Sequence, residues 1–541
     1  MSSDIQVSRP PPRPLLGFDG DCVERHRVFV ALVKRLLWGA DTLKPTHALA
    51  RWLFLRALGA IYLVAFLSLW SQILGLVGES GILPVRSLMS AALRSFDLHG
   101  IGVDRYRILP TLCWIGSSDV FLHVECAAGV LASLALILGV APVPCLGLLW
   151  LLYLSLATVG RVFFGYQWDN LLLEAGFLAI SFAPLSLRPR LRRATTPPRL
   201  ALWLLRLLLF KLMFSSGWVK ISSGDPSWHD LSALSFHYQT QPLPTWLAWY
   251  ANQLPLWLHK ASCAAMFAIE IGAPLMILAP RRPRLWGCGA MLLLQALIAL
   301  TGNYTFFNLL AIALCVLLVD DTTLRWIMPR RLTAALLPGV APEADRSGTA
   351  RRIALVLAAT IFVPISLVQT AASADIRSAW FAPIEAVDAW LAPLRTVSGY
   401  GLFAVMTTDR KEISIEGSDD GVHWVAYGFK FKPGDVNRRP GFVAPHQPRV
   451  DWQMWFAALG SLRDNRWLVN LCIRLLEGSR PVLALLGTNP FPAHPPRYVR
   501  AEIYRYTFTE AAERRATGAW WKREIIGEYM PSLSLAELRA K

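Results

Sequence analysis

Apolar residues along this chain gather in long runs, and most of the charged residues fall in the gaps between them. The runs lie at roughly 52–77, 119–140, 143–160, 171–187, 200–221, 258–279, 285–301, 304–319 and 353–372. Each is close to the ~20 apolar residues that a helix needs to cross a bilayer core. The pattern predicts a multi-pass α-helical membrane protein with about nine transmembrane helices. After the last run the periodicity changes. Ile413 and Ile415 alternate with Glu412, Ser414 and Glu416, which is strand spacing. Gly417 to Gly421 carries turn residues, so 422–431 is expected as the return strand of a hairpin. Residues 451–459 and 465–476 have helical spacing, Asn489 to Pro492 breaks the chain, and 498–508 alternates again. The tail is therefore expected to be a C-terminal α+β extramembrane domain. The predicted division is an N-terminal segment 1–51, a transmembrane domain 52–372 with a large loop at 222–257, and the tail 373–541.

Composition supports this reading, with 54% hydrophobic residues and a mean hydropathy of +0.40. The net charge of +17 sits between the runs, where it sets topology; it does not indicate nucleic-acid binding. With the N-terminus inside, the inner gaps hold 22 Lys and Arg against 5 in the outer ones. Nine crossings then leave the tail outside, in a periplasm for a bacterial inner-membrane protein or in the lumen for a protein of the endoplasmic reticulum. The lipid bilayer is the first partner, with anionic headgroups on the basic side. Residues 1–14 are Ser-, Pro- and Arg-rich, no cleavable signal peptide is evident, and 28–38 reads as an amphipathic surface helix. The eight cysteines form no CxxC pair. Cys126, Cys145, Cys263, Cys288 and Cys315 fall in apolar runs and read as packing residues. Cys113 and Cys472 fall outside, where a disulfide between them is one option.

Charges inside apolar runs are the first candidates for chemistry, since each costs about 2.5–3.5 kcal/mol at mid-bilayer on insertion scales. Glu174, Arg206, Lys211 and Glu270 qualify, with the two carboxylates as formal partners for Arg206 and Lys211. They are either structural ion pairs or the lining of a polar cavity. Lys220 either snorkels to the interface or serves a site as a base. Loop 222–257 contains no Lys or Arg but holds Trp228, His229, Asp230, His237, Tyr238, Gln239 and Gln241. A second short segment, Gln167, Trp168, Asp169 and Asn170, leads into Glu174. It reads either as interfacial anchoring with Asp169 or Asn170 capping a helix, or as part of the same cavity as Lys220. His229 and His237 are not at metal-site spacing, so no metal is expected. No phosphate-binding Gly-rich loop occurs, so no nucleotide and no cofactor is expected.

Several blocks resemble the lipase maturation factor family. They include RWLFLRALGAIYLVAFLSLWSQ, GYQWDNLLLEAGFLA from Gly165, GDPSWHDLSALSFHYQTQPLP, GNYTFFNLLAIALCVLLVDD from Gly302, and FVAPHQPRVDWQMWFAAL, which holds His446 and Gln447. The resemblance covers nearly everything after about residue 48. It implies a membrane protein of the animal endoplasmic reticulum, or a bacterial homologue, that helps exported lipases fold and assemble. SSGWVKISSGDPSW is similar, over a short stretch, to the vitamin K-dependent γ-carboxylase and its bacterial relatives. That likeness implies a shared membrane fold and places Lys220 at the family's lysine. The opening Asp19-Gly-Asp-Cys22 resembles the DCC thiol–disulfide oxidoreductases, with Arg25 in place of the second cysteine. A dithiol cycle needs two thiols, so this reads as a remnant.

Two functions are therefore expected as alternatives. The first is a non-catalytic maturation factor or chaperone that holds an exported client protein, with Trp228, Asp230, His237, Tyr238, Gln241, Gln167, Trp168, Asp169, Asn170, His446 and Gln447 as client- or ligand-binding residues. The second is a membrane-embedded enzyme acting on a lipid-soluble or quinone-like substrate, with Lys220 as base and His237 beside it.

Overall fold

The computed structural model describes residues 45–189, 195–329 and 348–540, together with Arg35, Leu37, Leu191 and Arg331. The Asp19–Arg25 motif and most of the expected surface helix at 28–38 lie outside the described residues. Every apolar run becomes helical: α1 (Ala48–Trp70), α2 (Asp119–Leu138), α3 (Pro142–Val159), α4 (Gln167–Phe182), α5 (Arg199–Ser222), α6 (Leu256–Leu278), α7 (Arg281–Thr301), α8 (Phe307–Val316) and α9 (Thr349–Ser373). By length and composition, seven of them can cross a bilayer. The two exceptions are informative. Helix α4 has 16 residues. Helix α8 has 10 and gives way, through a 115° bend, to Asp321–Ile327. The bend has a local cause: the Asp320 carboxylate accepts from the Thr323 amide at 2.9 Å, which starts a new helix there. Counting that pair as one span, the described residues hold seven to eight crossings, in line with a multi-pass bundle.

Packing within the bundle follows chain order from α1 to α5, with α9 laid against α5 and α8 against α7. Gly129 of α2 lies directly on the Phe66 ring of α1, closer than a Cβ would allow. Helix α6 is irregular: Ala268–Gly272 is a π-helical stretch, a feature found frequently at functional sites.

The tail builds a four-stranded antiparallel sheet in the order β2-β1-β3-β4. Strands β1 (Arg410–Ser418) and β3 (Tyr498–Phe508) fall where alternation predicts them. Helices α10 (Arg449–Leu459) and α11 (Arg466–Leu476) likewise match their spacing. The expected return strand at 422–431 shrinks to β2 (Val425–Ala426). Asp420 takes the amides of Val422 and His423, both at 2.8 Å, and prolongs the turn. Strand β4 (Trp521–Ser534) was not legible, because Lys522 to Glu528 is exposed on both faces and so does not alternate.

Cys113 and Cys472 are both buried and free, so the optional disulfide does not form. The Cys113 thiol faces Glu125 Oε2 at 3.8 Å. Burial pushes both thiols up to about 12, which makes them inert.

Candidate functional site

The polar residues singled out in the sequence, Arg206 apart, converge on one end of the bundle, where the tail sits. Seven of them, Gln167, Asp169, Asn170, Glu174, Trp228, Gln239 and Gln241, are joined to the tail by hydrogen bonds. Glu174 of α4 accepts the Lys211 ammonium at 2.7 Å on Oε1. Its Oε2 accepts the Ser398 amide at 3.0 Å and the Tyr400 hydroxyl at 2.7 Å. Asp169, fully buried, forms a bidentate pair with Arg449 of α10 at 2.9 and 3.1 Å. Tyr153 donates to the same carboxylate at 2.5 Å, and the guanidinium lies 3.5 Å over the Phe164 ring. Burial alone would lower the Arg449 pKa, but the charge and hydrogen bonds of Asp169, with Tyr153 and Tyr166 nearby, together raise it. An ion pair so enclosed is specific in geometry and costly to break from one side.

The same seam runs across the other helix ends. Ser68 and Gln72, in α1 and just past its end, hold the 446–449 segment. Ser68 Oγ lies 2.9 Å from His446 Nδ1, and Gln72 Nε2 donates to the Gln447 carbonyl at 2.8 Å. Asn303, between α7 and α8, donates to the Gly441 carbonyl at 2.8 Å and accepts the Val443 amide at 2.7 Å. Gln167 Oε1 accepts the Gly401 amide at 3.1 Å, and Asn170 Oδ1 accepts from Arg395 at 3.4 Å. Helix α4 has no side-chain cap, so neither Asp169 nor Asn170 plays the capping role open to it.

Loop 222–257 folds into three short helices, Pro226–His229, Ala233–Thr240 and Trp246–Asn252. The tail closes over it. Trp228 is buried and donates to the Phe403 carbonyl at 3.1 Å. Arg410 of β1 fans across the carbonyls of Gln239, Gln241 and Pro242. Trp455 donates to Thr240 at 2.8 Å and Trp249 to Thr509 at 3.0 Å. Asp230 remains exposed and closes a turn by accepting the Ser232 amide.

Under that cover lies a polar cluster. Lys220 donates to Glu270 and to the Ser216 carbonyl, at 2.7 and 2.8 Å. Its ammonium sits 5.5 Å from the Trp228 ring centroid. At 4% exposure it does not snorkel. Gly217 makes the approach possible: a Cβ there would come within 2.8 Å of Glu270 Cβ. Tyr304 donates to Gln241 Oε1 at 2.9 Å and lies 3.1 Å from His237 Nε2. With the tyrosine proton committed to Gln241, the ring nitrogen of His237 is the donor of that second bond. Burial, then the nearby Lys220 charge, lowers the His237 pKa to about 4. Tyr238 packs its ring against His237 and His259.

Comparison with known sequences decides what this two-part architecture is. A profile of the lipase maturation factor transmembrane domain matches residues 49–326, and one of the lipase maturation factor C-terminal domain matches residues 396–531. Lipase maturation factor 2 of Homo sapiens is 36% identical over 601 residues, covering 90% of this chain and 83% of that protein. Lipase maturation factor 2 of Gallus gallus is 37% identical, covering 90% and 82%. Lipase maturation factor 1 of Homo sapiens is 35% identical, covering 91% and 89%. The chain belongs to the lipase maturation factor family. No solved structure matches it.

Within this family member, the seam joins the two matched regions through Glu174, Asp169, Asn303 and loop 222–257. Two expected pairings need correction. Lys211 takes Glu174, but Glu270 goes to Lys220, and Arg206 has no carboxylate partner among the described residues. Arg206 lies nearer the opposite end, where it donates to the Leu317 carbonyl at 2.9 Å and meets His47. That carbonyl lies just past the end of α8, where backbone acceptors lack helical partners. Arg410, Arg449, Asn303, Tyr304 and Phe403 were missed in the sequence. The signal for Arg410 was present, as a cation in a strand whose neighbours Ile413 and Ile415 face a core. Gln447 is buried with both side-chain amide atoms unpartnered among the described residues.

Proposed function

We propose that this chain acts as a maturation factor for exported lipases, with the bundle holding the C-terminal domain and loop 222–257 as one body on the outer face of the membrane. The observation that carries this reading is the buried seam. A tail tied to the bundle through Asp169, Glu174, Asn303 and loop carbonyls presents a fixed surface. An exported protein leaving the membrane nearby would meet that surface. Exposed Val422, Phe456 and Ile525 supply apolar contact without strong competing charge pairs. Such contact suits a client that must later let go. Release would come from the client burying its own apolar surface, since no nucleotide step is needed.

The residues assigned to client binding from sequence divide under this reading. Trp228, Gln241, Asp169 and Gln447 serve the seam, while Asp230 is left free to face a client. The test is photo-crosslinking. A crosslinking residue at Asp230 or Ile525 is expected to trap a co-expressed exported lipase, and deletion of the chain should lower secreted lipase activity. Failure of both outcomes would remove the maturation role. The enzymatic alternative separates at Lys220→Ala. It requires loss of function with normal abundance and normal crosslinking. The maturation reading expects lower abundance, because Glu270 is left unpaired.

A further inference from the structure

A basic cavity of about 220 Å³ opens in the tail where it meets the bundle, lined by Pro244, Lys430, Lys432, Arg438, Arg439 and Phe442 among others. No carboxylate lines it among the described residues. Lys432 is neutralised from behind by Glu412 at 2.8 Å. The other three cations are exposed, and none forms a close ion pair among the described residues, although the charge of Arg438 reaches the buried Asp451 carboxylate behind the lining. Lys430 donates to the Ala484 carbonyl at 2.5 Å. Arg438 donates to the carbonyls of Phe429 and Lys432. Arg439 stacks over Trp246, with its guanidinium carbon 5.8 Å from the ring centroid. Carbonyls fix a cation in place without cancelling its charge, so the cavity is preset for an anion.

The depth of the cavity identifies the anion. Pro244 pairs with Gly302, the residue after the end of α7. Thr245 donates to the Leu300 carbonyl at 2.6 Å, and Asn303 holds Gly441. On the same helix Leu293, Leu297 and Leu300 are exposed, as a lipid-facing stripe should be. The cavity therefore sits at the level where α7 leaves the hydrocarbon, which is the level of headgroups. Phe442 and Trp246 meet edge to face at 6.1 Å beside it, the aromatic pairing expected at an interface.

We propose that this cavity binds the phosphate of a phospholipid headgroup from the tail-side leaflet, between Lys430, Arg438 and Arg439, with Phe442 against the glycerol end of the acyl chains. The site anchors the tail to the bilayer independently of the polar seam, and it does not depend on the maturation role. A free phosphate shares the chemistry but lacks the acyl chains. The test is native mass spectrometry of the full chain in detergent, titrated with phosphatidylglycerol. The tightest-bound lipid should be weakened about thirty-fold by Arg438→Gln with Arg439→Gln, the effect of two lost charges. Glycerol 1-phosphate at equal concentration should not displace it. Unchanged lipid affinity in the double variant would overturn the proposal. Displacement by glycerol 1-phosphate would overturn the lipid assignment in favour of a soluble anion. Should the double variant fail to fold, Arg439→Gln decides alone, since no hydrogen bond or ion pair holds Arg439 among the described residues and it stacks on the Trp246 ring. A loss of about fivefold is then expected, and no loss overturns the site.

Discussion

At the tail-side end of the bundle, Asp169 and Glu174 accept from Tyr153 and Lys211 within the bundle but also from Arg449, Ser398 and Tyr400, residues of the C-terminal domain or its approach. At the opposite end, Arg206 and Asp321 are satisfied within the bundle. Arg206 uses Leu317 and His47, and Asp321 accepts the amides of Ala48 and Leu49, both at 2.9 Å. The first end is thus incomplete without the tail, whereas Arg206 and Asp321 at the second draw no hydrogen bond from it among the described residues. Buried polar groups are costly unless partnered. The tail is therefore part of what makes the bundle stable, beyond being a domain hung from it. The contrast also explains why residues that looked like an exposed binding surface are buried: they face a partner that lies later in the same chain.

The sharpest way to break this contrast is to remove one side of the Asp169–Arg449 pair. Asp169→Ala leaves Arg449 buried without its counter-charge, at a cost of about 3–5 kcal/mol. That is a large share of the roughly 5–15 kcal/mol that holds a typical domain folded. Loss of the monodisperse peak in detergent size exclusion is the expected readout. Replacing both residues by leucine should recover much of the loss, because the uncompensated charge is gone. A wild-type melting temperature for Asp169→Ala would mean that the two ends do not differ.

Apolar run length marked the positions of all nine helices, because crossing a bilayer is a local demand met by consecutive residues. Alternation likewise gave β1 and β3. What the sequence could not reveal was pairing. Glu270 is equally plausible beside Lys211 and Lys220 until α6 takes its π-helical turn and Gly217 lets α5 approach. Asp169 and His446 are polar residues near helix ends, a description that fits client binding as well as docking. Their partners, Arg449 and Ser68, lie 280 and 378 positions away, and no local pattern encodes such contacts. Strand β4 was lost for the opposite reason. It lies at the sheet edge with both faces exposed along Lys522 to Glu528, so the period of two has nothing to enforce it.

A smaller effect is expected at the second end. Asp321 caps the first turn of α1 from a distant helix, accepting from Thr46 as well at 2.8 Å. Asp321→Ala should cost about 1 kcal/mol, the usual value of a lost N-cap. Hydrogen exchange should quicken in the first turn of α1, whereas α10 and β1 should keep wild-type protection. Spread of the change into the tail would show that the two ends are coupled.

The smallest expected effect is the pH response of the seam, and its sign follows from His237. The unfolded chain binds this proton near pH 6.5, whereas burial and Lys220 hold the folded residue down to about 4. Between those values the unfolded state carries more protons, so stability falls as pH drops from about 6.5 towards 4. The groups around the ring are Lys220, Tyr304, Tyr238 and Phe403, and none of them is a carboxylate that would favour the imidazolium. His446, whose pKa is also lowered by burial, adds to the same slope from across the seam. His237→Gln cannot take up the proton and can still donate to Tyr304, so its melting temperature should vary less with pH than that of the wild type over this window. Equal slopes for the two proteins would assign the acid sensitivity to other groups and leave His237 as a packing residue.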